Sequence, residues 1–266
     1  METKENKITL NKWFKNIYVI YIPSRENYIR NIIKELDIKV IFIPAILIED
    51  LGTLDELLKK KLLSPYFFYK HLKHERPKLP IDLIKFENNI NNADFIRGLK
   101  GKLALQLSYL KIFDLFLETS EKHCLIFEDD ILLPKADYLE RINNIFIELN
   151  NINWDYINFG RCFDMCEINT KFSENLIIDS YPLCTHACGY SRRICEELIV
   201  SSIPLRQAGD HIIHDFYYLN PKYKCYTVRP AIFFQNKTFK STLGNSNKEL
   251  PECGNEEGKK KKKLKK

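Results

Sequence analysis

The chain has 266 residues, 45% of them hydrophobic and 12% aromatic, enough for one sizeable α/β domain that needs no disulfide staples. Its formal charge of +6 is concentrated at one end: Lys259 to Lys263, with Lys265 and Lys266, exceed the whole excess, so the preceding body is close to neutral. That balance excludes a globally basic, specific nucleic-acid-binding surface, and no apolar run reaches the length of a membrane-spanning helix or a signal-peptide core.

The first clear element is Ile17 to Ile22, an apolar β-branched run stopped by Pro23, followed by an amphipathic stretch from Ser24 to about Leu36. This predicts strand, cap and helix, and Val40 to Ile43 before Pro44 predicts a second strand, giving a parallel β-α-β unit. Leu54, Leu57, Leu58 and Leu62 have helical spacing, whereas Ser64 to Asn92 reads as an irregular excursion. From Gly98 to about Leu117 the apolar positions Leu103, Leu107, Leu110 and Phe113 predict a long helix. It feeds the strand Cys124 to Phe127. Later elements are a helix from Pro134 to about Leu149, strands at Trp154 to Gly160 and Asn175 to Asp179, a helix starting at Ser191 after the segment Thr185 to Tyr190, a short aromatic helix at Ile212 to Leu219, and a strand at Tyr226 to Val228.

Glu128, Asp129 and Asp130 follow directly on that buried-strand pattern. Carboxylates at a strand end cost desolvation energy unless they meet a cation, share a proton or reach water. Hard oxygen ligands suit Mg²⁺ or Mn²⁺, which bridge phosphates, and open α/β sheets bind ligands at the carboxyl ends of strands. The alternative is that the triplet caps the next segment and faces solvent. Along a strand alternate residues share a side, so Glu128 and Asp130 are the pair expected to act together while Asp129 faces elsewhere.

Taken in order, the initial strand-helix unit, Val40 to Ile46, Gly101 to Ile112, the Phe-Glu-Asp-Asp strand end, Trp154 to Gly160, Thr185 to Ser191, Gly209-Asp210-His211 and Val228-Arg229-Pro230 resemble glycosyltransferase family 25 over roughly residues 15 to 235. That group includes lipopolysaccharide glycosyltransferases and collagen hydroxylysine galactosyltransferases. The resemblance implies a GT-A type nucleotide-binding sandwich, a mostly parallel central sheet flanked by helices. It also implies Mn²⁺ or Mg²⁺, a UDP-sugar donor, a glycan or hydroxylysine-bearing acceptor, and inverting transfer. In that scheme Glu128, Asp130 and His211 hold the metal, Ser24, Arg25, Ser108 and Glu128 lie on the nucleotide side, and Asp210 is the base. The alternative for Arg25 is an exposed surface arginine, and for Asp210 a helix cap. His214 and Asp215 are read as surface or packing residues. The family commonly has Ser-His where this chain has Ser108-Tyr109, and often an acid where it has Lys102.

Two other functions fit the same acids: a catalytically degenerate module that binds glycan or protein, and a Mg²⁺-dependent sugar-nucleotide hydrolase. The eight cysteines are expected as reduced thiols of a cytoplasmic protein. The pairs Cys162/Cys166 and Cys184/Cys188, with His186, are the alternative zinc set. Asn236-Lys237-Thr238 is a glycosylation sequon that matters only in a secretory compartment. The expected organisation is an extension at 1–14, a catalytic domain at 15–240 and a disordered lysine-rich tail at 241–266, whose contacts are limited to weak attraction to anionic surfaces.

Overall fold

Five consecutive residues with β propensity, preceded by Asn16 and without charge, form β1 (Asn16–Tyr21), which buries Ile17 to Ile20 on both faces. Pro23 ends it in a single 3-10 turn, and α1 (Glu26–Leu36) returns along the sheet with Ile29, Ile32, Ile33 and Leu36 inward, closing at Asp37 in a left-handed conformation (φ 55°). β2 (Ile41–Pro44) then pairs parallel with β1, completing the expected β-α-β unit. The structure, a computed structural model, describes residues 8–67, 93–149, 152–161, 169–178, 183–218 and 220–239, with main chain only at 93–95. The lysine tail, Cys162, Cys166 and most of the expected irregular excursion lie outside these residues.

A short helix α2 (Leu54–Lys59) is capped by Thr53, whose hydroxyl accepts from Glu56 N while the Glu56 carboxylate accepts from Thr53 N. The long helix α3 (Ala93–Leu117) leads into β3 (His123–Glu128), parallel to β1. After α4 (Tyr138–Glu148) come β4 (Tyr156–Asn158), β5 (Thr170–Lys171), β6 (Leu176–Ile178), β7 (Ala187–Ser191), α5 (Arg192–Ser201), α6 (Gly209–Ile213) and β8 (Cys225–Val228). The expected aromatic helix after Ile212 is a π-helical turn, His214–Tyr218.

These strands form one eight-stranded sheet in the order β2-β1-β3-β7-β4-β8-β6-β5. Its sheet is mixed, which corrects the expectation of a mostly parallel one: β1 with β2 and β3, and β4 with β8, are parallel, while β3–β7, β4–β7, β5–β6 and β6–β8 are antiparallel. The reason is β7. Ala187-Cys188-Gly189-Tyr190-Ser191 has few β-branched residues, so sequence reading took it as a lead-in to a helix, yet it is fully buried at the sheet's centre and runs opposite to both neighbours. Gly189 lets the aromatic rings approach closely, since a Cβ there would meet Trp154 and Phe14 at 3.2 and 3.3 Å.

Alternation along the strands divides the interior into two cores. Tyr18, Ile20, Cys124 and Ile126 face α3 and α5, with Phe113, Phe116 and Tyr190. Ile17, Val19, Leu125 and Phe127 face α1 and α4, where Leu10 and Phe14 are also fully buried. Residues of the expected N-terminal extension, Leu10 and Phe14, thus contribute to this core. No helix among the described residues is long and apolar enough to cross a membrane.

Gly160, just past β4, packs beneath the C-terminal segment. An added Cβ would lie 2.3 Å from His186 Nε2 and 2.4 Å from the Phe233 carbonyl oxygen. Gly160→Ala is expected to destabilise the fold by about 2–4 kcal/mol in chemical denaturation, because a backbone carbonyl and a buried ring cannot both retreat.

Candidate functional site

The three acids at the end of β3 part company. Continuing the alternation of Cys124 and Ile126, Glu128 points to the α3 side, where Tyr109 waits. Asp129 turns back to the start of α1: its Oδ2 accepts from Ile22 N at 2.7 Å and its Oδ1 from Arg25 Nη1 at 2.9 Å. Both side chains of this ion pair are about nine-tenths buried. Asp130 takes a third direction. Its Oδ2 accepts from Gln235 Nε2 at 3.3 Å and lies 3.8 Å from Arg25 Nη1, while its Oδ1 is buried without a hydrogen-bond partner.

Arg25 is thus no exposed surface arginine. Its guanidinium also lies 4.8 Å from the ring of Phe239, which meets Tyr28 edge-on at 4.9 Å, and Tyr28 donates to the Ile131 carbonyl. The segment 234–239 straps the acids from above: Leu132 N donates to Phe234 O, and Asn236 N donates to the Asp130 carbonyl. The sequon asparagine is folded on itself here, its Oδ1 accepting from Thr238 Oγ1 at 2.7 Å.

Loop 183–186 joins the acids to Asp210. Glu128 N donates to His186 O, and Thr185 Oγ1 donates to Glu128 Oε1 at 2.7 Å. One residue earlier, Cys184 N donates to Asp210 Oδ2 at 3.2 Å, and Asp210 Oδ1 accepts from His211 N at 2.9 Å. Asp210 stands in the first turn of α6 and is part-buried; the cap residue itself is Ala208. Beside it, a Cβ at Gly209 would come 2.4 Å from Gln106 Oε1 and displace the end of that side chain.

Tyr109 Oη lies 2.9 Å from both Glu128 Oε1 and the Thr185 carbonyl. A phenol has one proton and cannot serve two acceptors. A proton on Glu128 resolves the conflict: the carboxyl donates to Tyr109, Tyr109 donates to Thr185 O, and Thr185 Oγ1 donates to the carboxyl. Burial, then the charge of Asp130, push the Glu128 pKa up to about 8 and outweigh the Thr185 and Tyr109 hydroxyls, which pull it down. Asp130 is raised to about 6, by burial first and by Asp129 second. His186 is lowered to about 4 by burial and is therefore neutral, with one ring nitrogen 3.1 Å from Phe233 O.

The remaining sequence candidates fall as follows. Ser108 is fully buried; its hydroxyl donates to Ala104 O and accepts from Ile46 N, so it pins the chain after β2 to α3 and offers nothing outward. Ser24 is exposed on the turn before α1. His211 follows Asp210 on α6, and its carbonyl accepts from Gln207. Glu128, Asp130 and His211 do not converge: among the described residues no group of three or more His, Cys, Asp or Glu is arranged to hold a metal ion. His214 and Asp215 pair with each other at 2.7 Å. The cysteine expectation needs correcting as well. Cys184 is disulfide-bonded, whereas Cys124, Cys188, Cys195 and Cys225 are buried thiols and Cys188 Sγ lies 3.1 Å from Tyr156 Oη. The all-thiol expectation is therefore corrected at Cys184.

The orphaned oxygen of Asp130 is the feature that fits a divalent ion. A buried carboxylate oxygen with no donor is costly, and Mg²⁺ or Mn²⁺ in phosphate sites commonly takes one or two protein carboxylates and completes its shell with phosphate and water. Tyr109, Thr185 and Gln235 are the site residues that motif reading passed over. Tyr109 was visible only as a departure from the family pattern, and Gln235 carries no signal of its own. No family model matches this chain, and no curated protein matches it.

Asp129→Ala is expected to cost about 3–5 kcal/mol of stability in urea titration, because it strands Arg25 in a buried position. Asp130→Asn should cost little or even stabilise, since it removes like-charge repulsion.

Stability should also track the Glu128 proton. The folded pKa is raised, so the folded state holds a proton that the unfolded chain releases above about pH 4.5. This contribution is complete below that pH and is lost as pH rises through about 8. In Glu128→Gln that loss should vanish, leaving the variant more stable than the parent at pH 8 to 9, as read from melting curves across pH.

Proposed function

We propose that this chain is a metal-dependent inverting glycosyltransferase of the family 25 type, moving a hexose from a UDP-sugar to a saccharide or hydroxylysine-type acceptor. The observation that carries the reading is the buried, unpartnered Oδ1 of Asp130 at the carboxyl end of β3, beside Glu128. Second in weight is Asp210, tied through Cys184 to the loop whose Thr185 holds Glu128. The GT-A type architecture belongs to the same proposal: the β-α-β start and the acids at a strand end support it, with an antiparallel strand at the sheet's centre.

Asp130 and Glu128 would hold the divalent ion, which when bound neutralises charge on the departing diphosphate. Glu128 enters this role by giving up its proton, and Tyr109 and Thr185 keep its carboxyl aimed throughout. Asp129 and Arg25 fix the ends of β1 and β3 against each other, so the acids are placed before the donor arrives. Asp210 takes the proton of the acceptor hydroxyl as that oxygen bonds to the anomeric carbon and the carbon–oxygen bond to the diphosphate breaks. Its orientation comes from the Cys184 and His211 N–H groups. Fixed donors of this kind lower the reorganisation needed at the moment of transfer.

A second reading draws on one observation. Glu128 is already satisfied by two hydroxyls as a neutral acid, which suits a module of this fold that binds a sugar nucleotide or glycan and does not turn it over.

Incubation with a panel of UDP-sugars and Mn²⁺, scoring UDP release and then acceptor dependence, separates transferase, hydrolase and binder. Under the first reading Asp130→Asn should reduce turnover by about a hundredfold or more. Asp210→Asn should reduce it by about 10² to 10⁴ while donor affinity is retained. Saturable UDP binding with no release under any condition would favour the binder.

A further inference from the structure

A cavity of about 700 Å³ opens at the other end of the parallel strands, where the chain enters β1 and β2. Its rim carries Lys15, Lys34, Lys39 and Arg30 against one acid, Asp37, and its wall is apolar, formed by Ile33, Ile38 and Phe42. Neither Glu128 nor Asp130 borders it, because they close the carboxyl ends of strands whose amino ends frame the cavity.

The rim is built rather than incidental. Asn11 clamps the Lys39 backbone at two points, accepting from its N–H at 2.8 Å and donating to its carbonyl at 2.9 Å, which fixes the cavity mouth to the N-terminal segment. Arg30 is held flat: its Cζ lies 4.1 Å from the Phe42 ring centroid, while Glu26 accepts from Nε and Nη2 at 2.8 and 2.7 Å. A stacked guanidinium is a pre-organised cation with donors in fixed directions. The last carbonyls of α1 oppose an anion here and Arg30 is paired with Glu26, so binding has to come chiefly from the lysines.

We propose that this cavity is a second binding site, for a phosphate-bearing ligand with an apolar body. With Arg30 paired to Glu26, three lysines face one acid, Asp37, an excess that matches a multiply charged anion better than a single carboxylate, and the apolar wall takes the portion beyond the phosphate. Free phosphorylated metabolites and lipid headgroups share this chemistry.

The test uses the full chain in EDTA, so that metal-bridged binding at the acids does not contribute. Calorimetric titration with inorganic pyrophosphate examines the free anion, and flotation with phosphatidylcholine vesicles doped with phosphatidic acid examines the headgroup. Saturable binding of either probe is expected, and it should weaken about tenfold or more in the exposed double variant Lys34→Glu, Lys39→Glu. Binding should also weaken steeply with added salt. Lys34→Gln, Lys39→Gln serves as a milder variant if the reversal lowers the melting temperature. Which probe responds assigns the source. Binding of neither probe overturns the proposal, as does binding that both variants leave undiminished, including vesicle binding through the lysine tail.

Discussion

The ion pair between Asp129 and Arg25 is the constraint on which the candidate site rests. It joins the residue after β3 to the turn after β1, and Ile22 N adds a second bond to the same carboxylate. Three adjacent acids cannot all ionise in one buried place without severe repulsion. Here the fold gives each its own surroundings: Asp129 a cation, Glu128 a proton and two hydroxyls, Asp130 an amide on one oxygen and nothing on the other. That division creates chemistry from an otherwise unfavourable cluster.

The antiparallel strand β7 has a functional consequence. Because it runs against β3, its leading loop, 183–186, arrives beside the carboxyl end of β3. A parallel strand in that place would have presented its trailing end to the acids instead. Thr185 and the His186 carbonyl thereby reach Glu128, and Cys184 reaches Asp210, so residues far apart in sequence meet around one loop. A ring nitrogen of His186, at the end of the same loop, lies 3.1 Å from the Phe233 carbonyl.

Much of this was legible in the chain. The apolar run at Ile17 to Ile22, the periodic stretch before Leu117 and the acids after Phe127 each obey a local rule, and the structure contains the corresponding strands and helices. Legibility failed where burial rather than propensity decides conformation. Ala187 to Ser191 has no strand signature, and only its central place in the sheet makes it one. Arg25 sits where an exposed arginine is common, and its burial depends on Asp129, more than a hundred residues away. Ser108 lies in a family-like motif yet uses both its hydrogen bonds inside the protein. The role of Tyr109 needed the position of Thr185 to become visible, and Cys184 needed a partner that spacing alone does not identify.

The central claim is that the free oxygen of Asp130 receives a divalent ion together with a nucleotide diphosphate. Electron paramagnetic resonance of Mn²⁺ titrated into the protein with and without UDP tests it most directly. The account predicts one bound Mn²⁺ whose affinity rises with UDP, a signal that is lost in Asp130→Asn. Undiminished, UDP-coupled Mn²⁺ binding in that variant would contradict it.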